Sequence, residues 1–178
     1  MRQWIAAFML VAASLPVAAQ PAQFSTGPVI EKYGKVAEVD TNFEIPDDME
    51  FRISFDAVKG AEPGELNRTL TSAARFINMH ARAGVDPDEI NIAIVAHGKA
   101  VLDLTNPEFY AANIGGENAN ADLISTLLKN RVRIIVCGQS ASAQGVGNGD
   151  LLPGVETALS AMTAHAVLQS NGYTLNPF

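Results

Sequence analysis

Two residues with useful chemistry stand at the ends of apolar segments. Cys137, the only cysteine in the chain, ends the run "IIVCG", and His97 ends "IVAHG". Both runs have the composition of buried strands, and each is followed by a glycine, which lets the backbone turn sharply. In open parallel sheets, ligands bind beyond the carboxyl ends of the strands. His97 and Cys137 are therefore the predicted catalytic residues, provided that their strands lie close together.

The position of the thiol favours its reactive form. A cysteine between a strand and a helix N-terminus lies in a positive local field, which lowers the thiol pKa and favours the thiolate. The backbone amides and polar side chains of Gly138, Gln139 and Ser140 can form a cradle for an anion. With Gly98, these residues are the predicted ligand-binding set. The alternative is a buried, unreactive cysteine and a histidine that only caps a strand.

Three other polar residues are weaker candidates for the functional site. His80 lies near a predicted helix C-terminus, where a histidine can complement the helix dipole. His165 lies on the last predicted helix and is interpreted as a structural histidine. Asp56, at the end of the first strand, could reach the same edge as His97 and Cys137, although acidic residues at strand ends are often solvated.

Known motifs for cofactors and nucleophiles are missing from the sequence. "GVGNGD" does not open a helix after a strand, as a dinucleotide fingerprint would, and "GKA" lacks the P-loop frame. The histidines and the cysteine lack zinc-site spacing, and there is no nucleophile-elbow serine. We therefore predict no cofactor and no metal site. A net charge of −7 also argues against binding to nucleic acid or to anionic membranes.

The first 19 residues predict a signal peptide. Arg2 is followed by the apolar run Trp4–Leu15, and the small residues before Gln20 fit a signal peptidase site. Cleavage near Ala19–Gln20 predicts a periplasmic or secreted protein without a membrane anchor. A single cysteine in an exported chain cannot form an internal disulfide, so it is either a free thiol or an intermolecular partner.

Alternating strand and helix patterns predict one α/β domain with a mainly parallel sheet over residues 51–178, after an N-terminal arm over residues 20–50. Strands are predicted at 51–58, 90–98 and 132–137, with a short strand in "VETAL". Pro63 and Gly84 predict the start and end of the first helix, with a last residue near Arg82. Further helices are predicted after Asn120, around "QSASAQG" and in "SAMTAHAVLQSNG", which Gly172 ends.

The segments "FDAV", "INIAIVAHG", "VRIIVCGQSASAQGV" and "DLLPGVETALSAMTAHAVLQSNGYTLNPF" together resemble the DsrE/DsrF-like family of sulfur-relay proteins, in particular its exported branch. The resemblance implies a three-layer α/β/α fold and a homo-oligomer, either a trimer or a hexamer. It also implies a persulfide on a cysteine that follows a core strand, a position that Cys137 matches.

These observations leave three functions open. The first is a periplasmic sulfur-handling protein that carries sulfane sulfur on Cys137 between a donor and an acceptor protein; this would be a carrier or transferase-like protein at most. The second is a non-catalytic module that binds a small anion, or a metal through His97 and Cys137, and has a structural cysteine. The third is a cysteine hydrolase in which the amides after Cys137 form the oxyanion hole.

Overall fold

The computed structural model describes residues 23–177, so the predicted signal peptide lies outside the described residues. Five parallel strands form one sheet in the order β4-β3-β2-β1-β5. The strands are β1 (Phe51–Ala57), β2 (Ile90–Ala96), β3 (Arg133–Cys137), β4 (Glu156–Ala158) and β5 (Thr174–Asn176). The predicted α/β class and parallel sheet are confirmed. The strand β5, which the sequence did not predict, forms one edge.

Over the described part of the chain, five α-helices connect these strands. They are α1 (Arg68–Arg82), α2 (Pro107–Asn113), α3 (Ala121–Lys129), α4 (Gly138–Ala143) and α5 (Ala161–Ser170). Short 3-10 helices cover Pro87–Glu89, Gly98–Leu104 and Asn148–Asp150. Within residues 23–177, no helix has both the length and the apolar character that crossing a membrane requires.

The start of α1 differs from the prediction. Pro63 lies in a turn, and α1 begins at Arg68 because the Asn67 side chain caps it and accepts hydrogen bonds from the amides of Thr69 and Leu70 at 2.8 and 3.3 Å. The same Asn67 side chain donates to the buried Asp103 carboxylate at 2.7 Å. The Asn67 cap, which is also held by Asp103, therefore outweighs the preference of Pro63 for the first turn of a helix.

Helices cover both faces of the sheet, which confirms the three-layer architecture. On one face, α1, α3 and α4 pack over the larger core cluster, which includes Phe55, Leu70, Ile94, Leu127 and Ile134. On the other face, α5 covers a smaller cluster of Ala93, Val95, Ile135, Ala164 and Leu168. Because β2 and β3 are buried on both faces, their sequences read as almost continuous apolar runs.

The described part of the N-terminal arm is fixed to α1 by Asn78. This fully buried side chain accepts hydrogen bonds from the amides of Val29 and Ile30 and donates to the carbonyls of Ile30, Tyr33 and Gly34. Ile30 and Val36 enter the core, with 1% and 3% of their surfaces exposed. The described part of the arm also has an antiparallel bridge between Ser25 and Val36.

We expect the substitution Asn78→Ala to lower the free energy of unfolding by about 2–4 kcal/mol, because it leaves several buried backbone groups of the arm without partners. The amides of Val29 and Ile30 should exchange faster with solvent in hydrogen-exchange measurements. Asn113→Ala, at an exposed asparagine with one backbone hydrogen bond, is the control and should change stability by no more than about 0.5 kcal/mol. Equal losses in the two variants would contradict the anchoring role.

Candidate functional site

The strand register brings three polar side chains to one edge and one face of the sheet. Asp56 of β1 pairs with Val95, and Ala96 of β2 pairs with Val136. His97 and Cys137 each lie two residues beyond Val95 and Ile135, which pack under α5, so the alternation of side chains along a strand places them on that same face. Because β2 and β3 are neighbours, His97 and Cys137 lie at one level at the carboxyl edge.

The path of α5 adds a fourth side chain. β4 and β5 are the opposite edges of the sheet, so the chain between them must cross the whole face. Along this crossing, Ala164 and Leu168 pack on the sheet, and His165 lies beside Asp56 with its Nε2 atom 2.9 Å from Oδ1. The sequence predicted a structural role for His165, and the structure places this side chain in the wall of the same pocket as Cys137.

Hydrogen-bond donors surround the sulfur atom of Cys137. Burial opposes ionisation of this thiol, but hydrogen bonds from the Ser140 hydroxyl and from the amides of Ser140, Ala161 and Gln139 outweigh it, so the thiol pKa lies below its usual value. Gln139 and Ser140 are in the first turn of α4, and Ala161 is the first residue of α5. The sulfur thus lies at the N-termini of two helices, a position that stabilises a thiolate.

Ser140 connects the cradle to the loop after β2. Its Oγ accepts a hydrogen bond from the Gly98 amide at 3.2 Å, which leaves the hydroxyl proton for the Cys137 sulfur. The Gly98 carbonyl in turn accepts a hydrogen bond from the Gln144 side chain at 2.6 Å. The turn that ends β2 and the helix that follows Cys137 therefore hold each other in position.

The two glycines of the predicted ligand-binding set allow close backbone approaches. Gly98 has a φ of +55°, and a Cβ atom there would lie 2.9 Å from the Val58 carbonyl oxygen. A Cβ atom at Gly138 would lie 2.7 Å from the Ala158 carbonyl oxygen. In the same predicted set, Ser140 contacts the sulfur, and Gln139 lines the pocket with its side chain 3.4 Å from the Leu159 carbonyl.

Asp56 is the shared acceptor of the two histidines. His97 Nε2 lies 3.1 and 3.2 Å from the two carboxylate oxygens, and His165 Nε2 also contacts Oδ1. Burial alone would raise the Asp56 pKa, but hydrogen bonds from His165 and His97 and their charges outweigh it and lower that pKa. An ionised carboxylate can only accept hydrogen bonds, so both rings donate an Nε2–H to Asp56. The Nδ1 atom of each ring is not used in this contact.

The second ring nitrogen of His165, Nδ1, is buried and makes no hydrogen bond within residues 23–177. A buried ring nitrogen without a partner costs free energy and is uncommon away from functional sites. This atom supports a role for His165 beyond packing, in contrast to His80, which stacks on Phe76 at a centroid distance of 3.9 Å outside the pocket.

These side chains line one open pocket of about 360 Å³. Asp56, His97, His165 and Cys137 contribute the reactive groups, and Ser160, Ala161, Met162, Leu175 and Gln139 complete the wall. No group of three or more His, Cys, Asp or Glu side chains within the described range has an arrangement suited to a metal ion. The arrangement can hold a thiolate, or a persulfide extended from it, next to two imidazoles.

A comparison with protein families matches residues 52–177 to the DsrE/DsrF-like family. The chain belongs to this family. The match covers β2 and β3, which lead to His97 and Cys137, and the whole of α5. It supports a fold of the sulfur-relay type and confirms the family to which the sequence motifs pointed.

A comparison with solved structures identifies the same fold. The chain is similar to a protein of unknown function, MTH1491 from Methanobacterium thermoautotrophicum, with a TM-score of 0.54 and 20% identity over 72% of this chain and 99% of that one. It is also similar to the ychN protein from E. coli, with a TM-score of 0.47 and 14% identity over 72% and 99% of the two chains. A comparison with curated protein sequences gives no match.

We expect Ser140→Ala to raise the thiol pKa of Cys137, because it removes the hydroxyl that hydrogen-bonds the thiolate. The rate of alkylation by iodoacetamide follows the thiolate fraction, so its pH profile should move to higher pH. Ser142→Ala, at an exposed position on the same helix, is the control and should leave the profile unchanged. Overlapping profiles for Ser140→Ala and the unaltered protein would show that the hydroxyl does not stabilise the thiolate.

Proposed function

We propose that this protein handles sulfur by carrying sulfane sulfur as a persulfide on Cys137. The observation on which the proposal depends is the cradle around the sulfur, where the Ser140 hydroxyl and the amides of Ser140, Ala161 and Gln139 converge. Donors in this arrangement favour the thiolate, which is the nucleophilic form of cysteine. Membership of the DsrE/DsrF-like family supports the same chemistry.

Loading transfers one sulfur atom without net oxidation. The Cys137 thiolate attacks the outer sulfur of a donor R–S–SH, a new S–S bond forms, and the S–S bond of the donor breaks. Cys137 becomes Cys137–S–SH, and the donor leaves as RS⁻, which takes up a proton to become RSH. In the second half of the cycle, an acceptor thiolate attacks the same outer sulfur and restores the Cys137 thiolate.

His97 supplies and removes the protons of this cycle, because His165 faces Asp56 through Nε2 and its Nδ1 atom is buried. Asp56 holds both rings through Nε2, so their orientation is fixed before any donor binds. A protonated imidazole can neutralise the departing RS⁻, and a neutral one can deprotonate the incoming acceptor thiol. We assign His97 to tuning the thiolate, and we add His165 as a residue that helps to position Asp56.

We expect the purified protein to gain about 32 Da, the mass of one sulfur atom, when it is incubated with a persulfide donor, because the cradle favours the nucleophilic thiolate. Intact-mass spectrometry should show that dithiothreitol removes the added mass and that an acceptor thiol takes it up. Since the chain has a single cysteine, Cys137→Ser is a clean control and should bind no sulfur.

Two outcomes would contradict the carrier function. A Cys137→Ser variant that still gains sulfur would show that the sulfur is bound elsewhere. A native protein that gains no sulfur, and whose thiol reacts with alkylating agents only after unfolding, would point to a binding module with a structural cysteine.

We further propose that the carrier works in the periplasm or outside the cell, as a homo-oligomer of three or six chains that meets a donor and an acceptor protein. Arg2, the apolar run after it and the small residues before Gln20 support export. The family resemblance supports the oligomer. Exposed apolar side chains on and near α5, with Leu159 and Val167 at 73% and 51% exposure, are suited to a contact between chains.

Export predicts that the chain isolated from a bacterial host begins at Gln20. Mass spectrometry of the periplasmic fraction should identify this N-terminus, because signal peptidase cleaves after small residues, which Val17, Ala18 and Ala19 provide. Replacement of the two alanines before Gln20 by bulky residues should leave the uncleaved precursor. A full-length chain in the cytoplasm would contradict export.

A further inference from the structure

A second groove lies beside α1, on the face of the sheet opposite to α5 and Cys137. It has a volume of about 580 Å³, and Leu66 and Met79 in its wall are 39% and 44% exposed. Arg68 and Arg75 also line it, whereas no acidic side chain within residues 23–177 does. We call this surface the α1 groove.

The two arginines of the α1 groove are exposed cations without a counter-ion. They are seven residues apart, so they lie on one side of the helix, about 10 Å apart along its axis. Neither forms an ion pair with another residue of the described chain. The protein as a whole is acidic, with a net charge of −7. Unpaired arginines beside exposed apolar side chains are suited to binding a segment that is both acidic and apolar.

A segment of this kind is present in the N-terminal arm. Residues 38–48, which we call the acidic segment, contain no basic residue and five acidic ones, Glu38, Asp40, Glu44, Asp47 and Asp48. None of these carboxylates forms an ion pair with a residue that the structure describes. Val39 and Phe43 are 76% and 83% exposed, which is unfavourable in water unless another surface covers them.

The spacing of groups in the acidic segment fits the α1 groove. Asp40 follows Val39 and Glu44 follows Phe43, so a carboxylate stands next to each exposed apolar side chain. In an extended chain, the four residues from Asp40 to Glu44 span about 13 Å. This length is close to the separation of the two arginines, so one extended segment can pair with both.

Within one chain the acidic segment does not meet the α1 groove, because none of its residues lines the groove wall. Both ends of the arm are held beside the last turns of α1. Arg82 donates a hydrogen bond to the Val36 carbonyl at 3.4 Å, and the Phe51 ring lies 4.4 Å from that of His80. These anchors restrict where the segment can reach in its own chain, whereas a second chain can present it without this restriction.

We infer that the acidic segment of one chain binds the α1 groove of a second copy, with Asp40 and Glu44 paired to Arg68 and Arg75. Each copy has one segment and one groove, so two copies can exchange their arms reciprocally. The groove and α5 lie on opposite faces, so this contact can coexist with a contact through α5. The inference adds a second surface to the homo-oligomer proposed above and does not depend on the carrier function.

The first experiment reverses the charges on each side of the contact. Arg68→Glu/Arg75→Glu and Asp40→Lys/Glu44→Lys each place like charges opposite one another. Sedimentation of the mature protein should show that each variant associates at least about tenfold more weakly than the native chain. Thermal melts check that each variant is folded, as expected for exposed residues without an ion pair in the described structure.

A mixture of the two charge-reversed variants tests whether the contact joins different chains. In such a mixture, the acidic segment of one variant meets the arginine groove of the other, and the lysine-bearing segment meets the glutamate groove. The mixture should therefore associate at least about tenfold more tightly than either variant alone. Lys59→Glu/Lys129→Glu makes the same charge change as the arginine variant at exposed positions outside both surfaces, and it should associate as the native chain does.

A crosslink between isotope-labelled chains identifies the contact directly. Unlabelled and ¹⁵N-labelled samples of an Arg75→Lys variant are mixed and treated with a carbodiimide, which joins an amine to a carboxylate in direct contact. We expect residue 75 to be joined to a carboxylate of the acidic segment. The crosslinked pairs should include one labelled and one unlabelled peptide, which only a contact between two chains can produce.

The outcomes separate this contact from the other proposals. Unchanged association of both charge-reversed variants would overturn the inference. A mixture that associates no better than its components, or crosslinks within single chains only, would also overturn it and place the segment on its own chain. A smaller oligomer that remains after charge reversal would leave the contact through α5 as support for the homo-oligomer. A monomeric native protein would contradict both contacts, and sulfur loading of Cys137 tests the carrier function independently of all these results.

Discussion

Parallel pairing of β1, β2 and β3 is the constraint on which the site depends. Because parallel strands end at the same edge, a polar residue near the carboxyl end of each strand adds to one cluster. The register then decides which face that cluster occupies. Asp56 pairs with Val95, and His97 and Cys137 lie two residues beyond positions that face α5, so all three are on one side. A shift of one residue in any of these strands would send its polar side chain into the larger core.

The order of the strands explains why α5 belongs to the site. A helix between β4 and β5 must cross from one edge of the sheet to the other, and it is the helix that packs over the smaller core cluster. Its N-terminus therefore lies beside Cys137, where the Ala161 amide reaches the sulfur. One turn later the same helix passes β1, where His165 meets Asp56. A single crossing thus supplies both a hydrogen-bond donor for the thiolate and a second imidazole.

The sequence predicted the local parts of this arrangement and missed the parts that depend on strand order. The apolar runs before His97 and Cys137 fix the strands, and the glycines after them fix the turns, so the fold class and both strand ends could be predicted. The strand β5 has only three residues, too few for a periodic signal. Asn67 outweighed Pro63 at the start of α1 through a contact with Asp103, which lies 36 residues away in sequence.

The contact between His165 and Asp56 could not be predicted from the sequence of α5 alone. The spacing of Ala161, Ala164 and Leu168 places one face of α5 on the sheet, and His165 stands at the border of that face. This pattern could have marked it as half-buried. It could not have indicated that the facing residue is Asp56, since that depends on the passage of α5 over β1.

The electrostatics of the site depend on which elements supply its hydrogen-bond donors and acceptors. The donors that stabilise the thiolate come from the backbone of α4 and α5 and from Ser140, so they are fixed by the fold and do not titrate. The two imidazoles, His97 and His165, are held instead by Asp56 on β1. The groups that stabilise the thiolate and the group that holds the histidines therefore come from different parts of the fold. In a site that used a histidine cation to stabilise its thiolate, each proton transfer would also change the nucleophile, whereas here the stabilising donors carry no titratable proton.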